Sequence, residues 1–355
     1  EVLNNLDKIK KDKKQLLLTN EYNHNSAMDY WKFRFGNKIY RDIFNPICKK
    51  LYGANGDELS QSVSYYTKLD RLILFSSDLM REIGKSDFMR MVLAYPDQLS
   101  MPTYRKNTQR GLFPKDGMLR ITNELYKNLV NVGVKFLMNS TVQQIHHSKG
   151  QYTIEVETEN KKEFNLVSKN LFWSGSRTSL AKTMNIKIKS QAEPSKSNYI
   201  FCRVDEDNLL MKSIYYFYCL DSNYSSFRVT NISEYSKNID NHGRRLLCIE
   251  QHLSKNTPHE LRDIHQCTNK VIDELLEMKI IREKPSKDMI KFFQIPKRIF
   301  PVPLLVNNKM NNEMKTIDNL PNIIFPGKNK PYLSSPFFLV DTLKDIYDQY
   351  KRLTT

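Results

Sequence analysis

The chain has 355 residues, 40% hydrophobic and 26% charged, an ordinary globular balance that excludes disorder of the whole chain and allows two domains or one domain with a large insertion. Lysine and arginine outnumber aspartate and glutamate 55 to 39, and the net charge of +16 draws anions without saying which: nucleic acid, acidic lipid and phosphorylated metabolites all fit. No apolar run approaches the ~18 residues that span a bilayer, no signal peptide is visible, and five cysteines with no C-x-x-C pair and no histidine at zinc-ligand spacing read as reduced thiols of a cytoplasmic protein.

Residues 1–25 read as a solvent-facing helix crowded with Lys8, Lys10, Lys11, Lys13 and Lys14, with only Leu3, Leu6, Ile9 and Leu16 as a partial stripe. From Ser26 to Gly56 aromatic residues dominate: Tyr30, Trp31, Phe33, Phe35, Tyr40, Phe44 and Tyr52. An aromatic stripe at helical spacing reads first as core packing. Residues 69–97 read as helix packed through Met80, Met89 and Met91, and 104–110 as a basic loop whose Arg105, Lys106 and Arg110 can face an anion with Lys115.

The segment Arg110 to Met118 leads into an amphipathic helix with Ile121, Leu125, Leu129 and Val132 on one face. Asp116 is expected to cap it, Gly117 to turn into it and Gly133 to stop it. Strands are expected at Val134–Met138, Thr141–His146 and Gln151–Thr158, with Glu163–Val167 as a hairpin partner. Leu171-Phe172-Trp173-Ser174-Gly175 then reads as a strand ending in small residues before a helix, which suits close backbone approach by a phosphate or ring. Ser174 and Gly175 are the candidates there.

Tyr199–Val204, Ile214–Cys219, Ser226–Thr230 and Leu246–Glu250 have the β-branched and aromatic enrichment of an antiparallel sheet. Among them Arg228 is the charged residue of Phe227–Asn231, and its planar fork suits bidentate phosphate contact, while alternation equally permits an outward-facing strand residue. A periodic helix is expected over Pro258–Met278, a strand over Met289–Ile295 and a proline-rich turn over Arg298–Pro303. Near the end, Leu320–Gly327 reads as a short buried strand ending in glycine, and Ser335 and Pro336 as the N-cap and first residue of a helix over Phe337–Leu353. A helix N-terminus so placed favours an anion.

Several of these segments resemble one group of flavoproteins, the FAD-dependent amine oxidases, protoporphyrinogen oxidases, phytoene desaturases and UDP-galactopyranose mutases. Pro114-Lys115-Asp116-Gly117-Met118, its helix and the later Val142 and Ile145 are similar to their "P-x-G-G-M, helix, G-V…V-x-x-I" segment. Phe35-Gly36, Tyr40, Phe44, Pro46, Lys50 and Gly53 are similar to a pattern of their cap region. Tyr216, Tyr218, Asp221, Phe227, Arg228 and Asn231 resemble a substrate-domain hairpin of mutase-like members, and Leu320–Gly327 with Ser334 and Ser335 resembles the segment that closes the FAD site.

The resemblance implies an α/β fold with α+β insertions: a Rossmann-like FAD/NAD(P)-binding domain, incomplete at its N-terminus, and a substrate domain of antiparallel sheet plus helices. The corresponding division is a helical cap and substrate region at 1–105, part of the FAD-binding domain at 106–190, the substrate-domain sheet and helix at 191–300, and a return to the FAD-binding domain at 301–355. It also implies FAD as cofactor, held by Val142, Ser174, Gly175, Pro326, Gly327, Ser334 and Ser335. A small anionic substrate would meet Arg228, Tyr216, Tyr218 and Arg110, and no catalytic residue or metal ligand is assigned.

The group's G-x-G-x-x-G turn, which holds the pyrophosphate, is missing from the eleven scattered glycines, and Lys328-Asn329-Lys330 replaces a common Gly-Asp continuation. With Glu1 in place of Met, the expectation is a fragment, or else a relative that has lost tight FAD binding. The function expected is therefore an FAD-dependent oxidoreductase-class enzyme acting on an anionic metabolite such as a nucleotide sugar, the alternative being a non-catalytic binding or scaffold relative. No specific nucleic-acid partner is expected, because the aromatic residues are not interleaved with the basic ones. Peripheral membrane contact is compatible with the charge.

Overall fold

A computed structural model of the protein describes residues 26–61, 63, 73, 75–86, 113–189, 196–237, 239–253, 257–295, 313, 315–325 and 346–351. Besides a three-residue helical turn at Asn37–Ile39, the helices in chain order include α1 (Ala27–Phe35), α2 (Asn45–Tyr52), α3 (Ser77–Ile83), α4 (Leu119–Asn131), α5 (Arg177–Thr183), α6 (Ile232–Ser236), α7 (Ile264–Glu277) and α8 (Lys315–Asp318). The strands are β1 (Ser140–Ser148), β2 (Gln151–Thr158), β3 (Glu163–Ser168), β4 (Leu171–Phe172), β5 (Lys196–Asp205), β6 (Tyr216–Tyr218), β7 (Arg228–Asn231), β8 (Arg244–Leu253), β9 (Ile290–Ile295) and β10 (Ile323–Ile324). Among the described residues no helix is long and apolar enough to cross a membrane. The chain divides into two units, Glu1–Lys127 with Pro194–Val302 and Asn128–Glu193 with Pro303–Thr355.

In the first unit, Ser26 opens α1 by accepting a hydrogen bond from the Asp29 N–H at 3.1 Å. A π-helical turn at Tyr40–Phe44 runs into α2, which ends at Gly53 in the left-handed conformation, φ +66°. The aromatic residues here are packing residues, as their spacing predicts: Trp31 stacks on Phe44 at 4.8 Å between centroids, Phe35 lies 5.2 Å from Phe44, and all three are fully buried. The five-stranded sheet has the order β6-β7-β8-β5-β9 and is antiparallel throughout. Asp263 caps α7 through the Gln266 N–H at 2.9 Å, and α7 packs Cys267, Val271 and Leu275 onto Ile200, Cys202, Val229, Leu247 and Ile249.

The second unit has the antiparallel sheet β1-β2-β3 and a parallel pair, β4 with β10. Ile145, Tyr152, Leu171, Leu180, Ile317 and Ile323 share its core. The Tyr152 hydroxyl donates to the Pro321 carbonyl, fixing β2 to the turn that enters β10.

Three expectations need correction. Val134–Met138 is not a strand; apolar β-formers become a strand only where a neighbouring chain supplies a ladder, and this segment belongs to no described ladder. Asp116 gives its carboxylate to the Arg120 side chain at 2.5 Å, one helical turn on. The helix expected over Pro258–Met278 begins only at Ile264, a short 3₁₀ turn at His259–Arg262 and the Asp263 cap having stopped it short. Gly117 and Gly133 do take the left-handed backbone expected of them, φ +83° and +88°. The apolar stripe of α4 stays exposed at Leu119, Ile121, Leu125 and Leu129.

Candidate functional site

Strand residues alternate between the two faces of a sheet, so the set packed on α7 defines the set turned away from it. Register then aligns the second set across all five strands. Tyr218 of β6 pairs with Arg228 of β7, Arg228 with Glu250 of β8, Glu250 with Tyr199 of β5, and Tyr199 with Phe293 of β9. The neighbouring row is Tyr216, Thr230, Cys248, Phe201 and Lys291. Aromatic rings thus flank a central charged pair on both sides.

Arg228 directs Nε to Glu250 Oε1 at 2.8 Å, and its Nη2 donates to the same oxygen. Burial opposes the guanidinium charge, but the Glu250 carboxylate and the Tyr218 side chain together outweigh it and raise the Arg228 pKa. The Arg228 side chain is 36% exposed and that of Glu250 only 9%, so the arginine carries the accessible end of the pair. Arg228 Cζ also stands 5.9 Å from the centre of the Tyr218 ring. Tyr218 lies edge-on to Tyr216 at 5.6 Å and 5.1 Å from Phe227, whose ring is 4.4 Å from His252. Across the sheet Phe201 and Phe293 meet edge to face at 5.6 Å. A second aromatic group beside β6 joins Tyr215, Tyr235 and Phe113, with Lys237 Nζ 5.6 Å from the Tyr215 ring.

The loop between β6 and β7 is held at both ends, which positions Tyr218 and Arg228. At its start Lys50 of α2 donates to the carbonyls of Cys219 at 2.7 Å and Asp221 at 2.6 Å, and burial pushes the lysine pKa down. At its end the buried Glu274 carboxylate of α7 accepts from the Ser225 N–H at 2.6 Å and the Ser226 N–H at 2.9 Å.

Of the residues expected to hold a flavin nucleotide, Val142, Ser174 and Gly175 lie in the second unit. Strand β4 runs parallel to β10, joined by Trp173 N to Ile324 O at 2.8 Å, and Ser174 and Gly175 follow as exposed residues beyond its carboxyl end. That place, outside the carboxyl ends of parallel strands, fits a nucleotide. Gly175 has a nearer reason to lack a side chain: a Cβ there would sit 2.8 Å from Trp173 Nε1 and 3.0 Å from Ser179 Oγ. Val142 lies where the β1–β2 register shifts between Val142 and Gln144, and its half-buried side chain packs on the core. Pro326, Gly327, Ser334, Ser335 and Arg110 lie outside the described residues.

Tyr216, Tyr218 and Arg228 therefore come together on one sheet face, and Val142, Ser174 and Gly175 fall within one unit. Glu250, Tyr199, Phe201 and Phe293 are additions made by strand register. Period-two alternation within each strand hinted at them, but a single sequence does not say which residue stands opposite which.

Residues 3–167 match the family model of flavin containing amine oxidoreductases. No curated protein matches the chain. Among solved structures the chain is similar to a reduced UDP-galactopyranose mutase, with a TM-score of 0.58 and 15% identity over 92% of this chain and 66% of the mutase. It is also similar to a protoporphyrinogen oxidase-type protein from Exiguobacterium sp. 255-15, with a TM-score of 0.57 and 12% identity over 96% of this chain and 72% of that one. An oxidoreductase from Methanosarcina mazei matches with a TM-score of 0.53 and 11% identity over the same shares, 96% and 72%. The chain thus spans just under two thirds of the mutase and somewhat more of the other two.

Proposed function

We propose that this chain, whose residues 3–167 match the flavin containing amine oxidoreductase model and whose fold is similar to that of solved flavin-dependent proteins, serves as the substrate-binding and part of the cofactor-binding structure of an FAD-dependent oxidoreductase-class enzyme acting on an anionic metabolite, a nucleotide sugar being the preferred class. The observation that carries the substrate half is the row Tyr218–Arg228–Glu250–Tyr199–Phe293. Its rings offer stacking faces for a planar base, and the exposed end of Arg228 offers a charge-assisted donor to a phosphate. Val142, Ser174 and Gly175 would meet the nucleotide part of FAD through their backbone, with Pro326, Gly327, Ser334 and Ser335 as the further expected contacts. When bound, the flavin supplies the redox or covalent chemistry; this chain's residues bind, orient and exclude water.

A second reading, a relative that keeps the fold without tight FAD binding and serves as a binding protein, is favoured by one feature, the lack of a G-x-G-x-x-G turn in the sequence. Titration with FAD separates the two. Saturable quenching of flavin fluorescence, with flavin absorbance retained after gel filtration of the protein in its natural full length, is the outcome expected of the enzyme. Protein that emerges colourless and takes up no FAD would leave only the second reading.

A further inference from the structure

Arginine on an exposed strand face ordinarily samples many rotamers, and a lone guanidinium attracts any anion. Arg228 is placed differently. Its Nε and Nη2 both point to one oxygen of Glu250, directly across the β7–β8 ladder, and the Glu250 side chain is too buried to swing out with a ligand. The inner edge of the guanidinium is thus spent on a fixed partner. Its outer part, which the Tyr218 side chain also reaches as a hydrogen-bond partner, is the end that a ligand would meet.

We propose that Glu250 is the positioning and specificity-determining residue of this face: it touches no ligand, holds the Arg228 fork in one orientation beside Tyr218, and offsets its charge so that a bare anion gains little. The ligand selected is one that joins a stackable ring to a phosphate, a nucleoside diphosphate in preference to inorganic pyrophosphate. This rests on the reading of the sheet face as the anionic substrate's site. It goes further in assigning the discrimination to a carboxylate.

The test measures binding of UDP and of inorganic pyrophosphate by calorimetry to wild type, Glu250→Ala, Glu250→Gln and Arg228→Ala, with the Arg228 Nε–H followed by ¹⁵N NMR. Glu250→Ala should weaken UDP about tenfold, as Arg228→Ala does. Glu250→Gln, which keeps an acceptor but loses the charge, should bind UDP within about threefold of wild type and pyrophosphate at least threefold more tightly, a change of preference that a merely structural role would not produce. UDP binding by Glu250→Ala equal to wild type, or by Glu250→Gln as weak as by Glu250→Ala, would overturn the proposal. Should wild type bind no UDP, the anionic-substrate reading falls, and the NMR signal decides the positioning: a protected Arg228 Nε–H in wild type and Glu250→Gln upholds it, an unprotected one in wild type defeats it. Those two measurements stand even if Glu250→Ala does not fold.

Discussion

Gly175 shows how one residue can carry two explanations of different reach. Its position after a parallel strand invites a ligand, yet the Trp173 indole already occupies the space a side chain would need, donating from Nε1 to the Ser176 carbonyl at 3.1 Å. Gly175→Ala should therefore destabilise the protein by about 1–3 kcal/mol through overpacking, whether or not a cofactor is bound. Thermal melting in the absence of FAD checks this. An unchanged melting temperature would transfer the glycine's purpose to the ligand. Arg228 presents the reverse case: its residue type announces a phosphate contact, and only the strand beside it reveals the carboxylate that limits what the charge can do.

Among the elements, the β6–β7 hairpin depends on distant side chains more than on its own short ladder of three pairs. Glu274 accepts from two loop N–H groups while buried, so Glu274→Gln turns an amide donor toward donors and should cost about 1–3 kcal/mol. Lys50→Met should leave global stability nearly intact while loosening the loop's first turn, seen as faster amide exchange confined to 219–227. Uniform exchange changes across the sheet would show instead that Lys50 supports the whole unit. Much of this architecture is legible in sequence, because amphipathic spacing places α4 and α7, alternation places β2, and β-branched and aromatic enrichment places β5 and β8. What is not legible depends on partners far along the chain: Lys50 lies 169 residues from Cys219, and Glu274 48 from Ser226. The failed strand at Val134–Met138 has the same cause, since local propensity cannot supply the neighbouring chain that a ladder requires.

For the molecule as a whole, five buried thiols set its behaviour in alkali. Burial pushes Cys48, Cys202 and Cys248 up to about 12 from their ordinary 9.0, and the Tyr40 and Tyr152 hydroxyls up to about 12 from 10.0. These groups stay neutral in the folded protein at pH values where the unfolded chain releases their protons. Their stabilising contribution is full below pH 9 and is lost as pH climbs from 9 toward 12, at roughly 1.4 kcal/mol per pH unit for each group ionised only in the unfolded state. Urea midpoints should therefore fall steeply between pH 9 and 10.5 and scarcely move between 7 and 8.5. A midpoint flat to pH 10.5 would contradict it. The alternation that divides the five-stranded sheet into a core face and a ring-lined face carries a different sort of constraint, on how such a chain can vary over time. Deleting or inserting one residue within β7 would carry Arg228 into the space of Val229 and expose Val229 in its place, exchanging site and core in a single stroke. New ligand preferences on this face are thus accessible to its lineage by substitution alone, while changes of length are confined to the loops that join the strands.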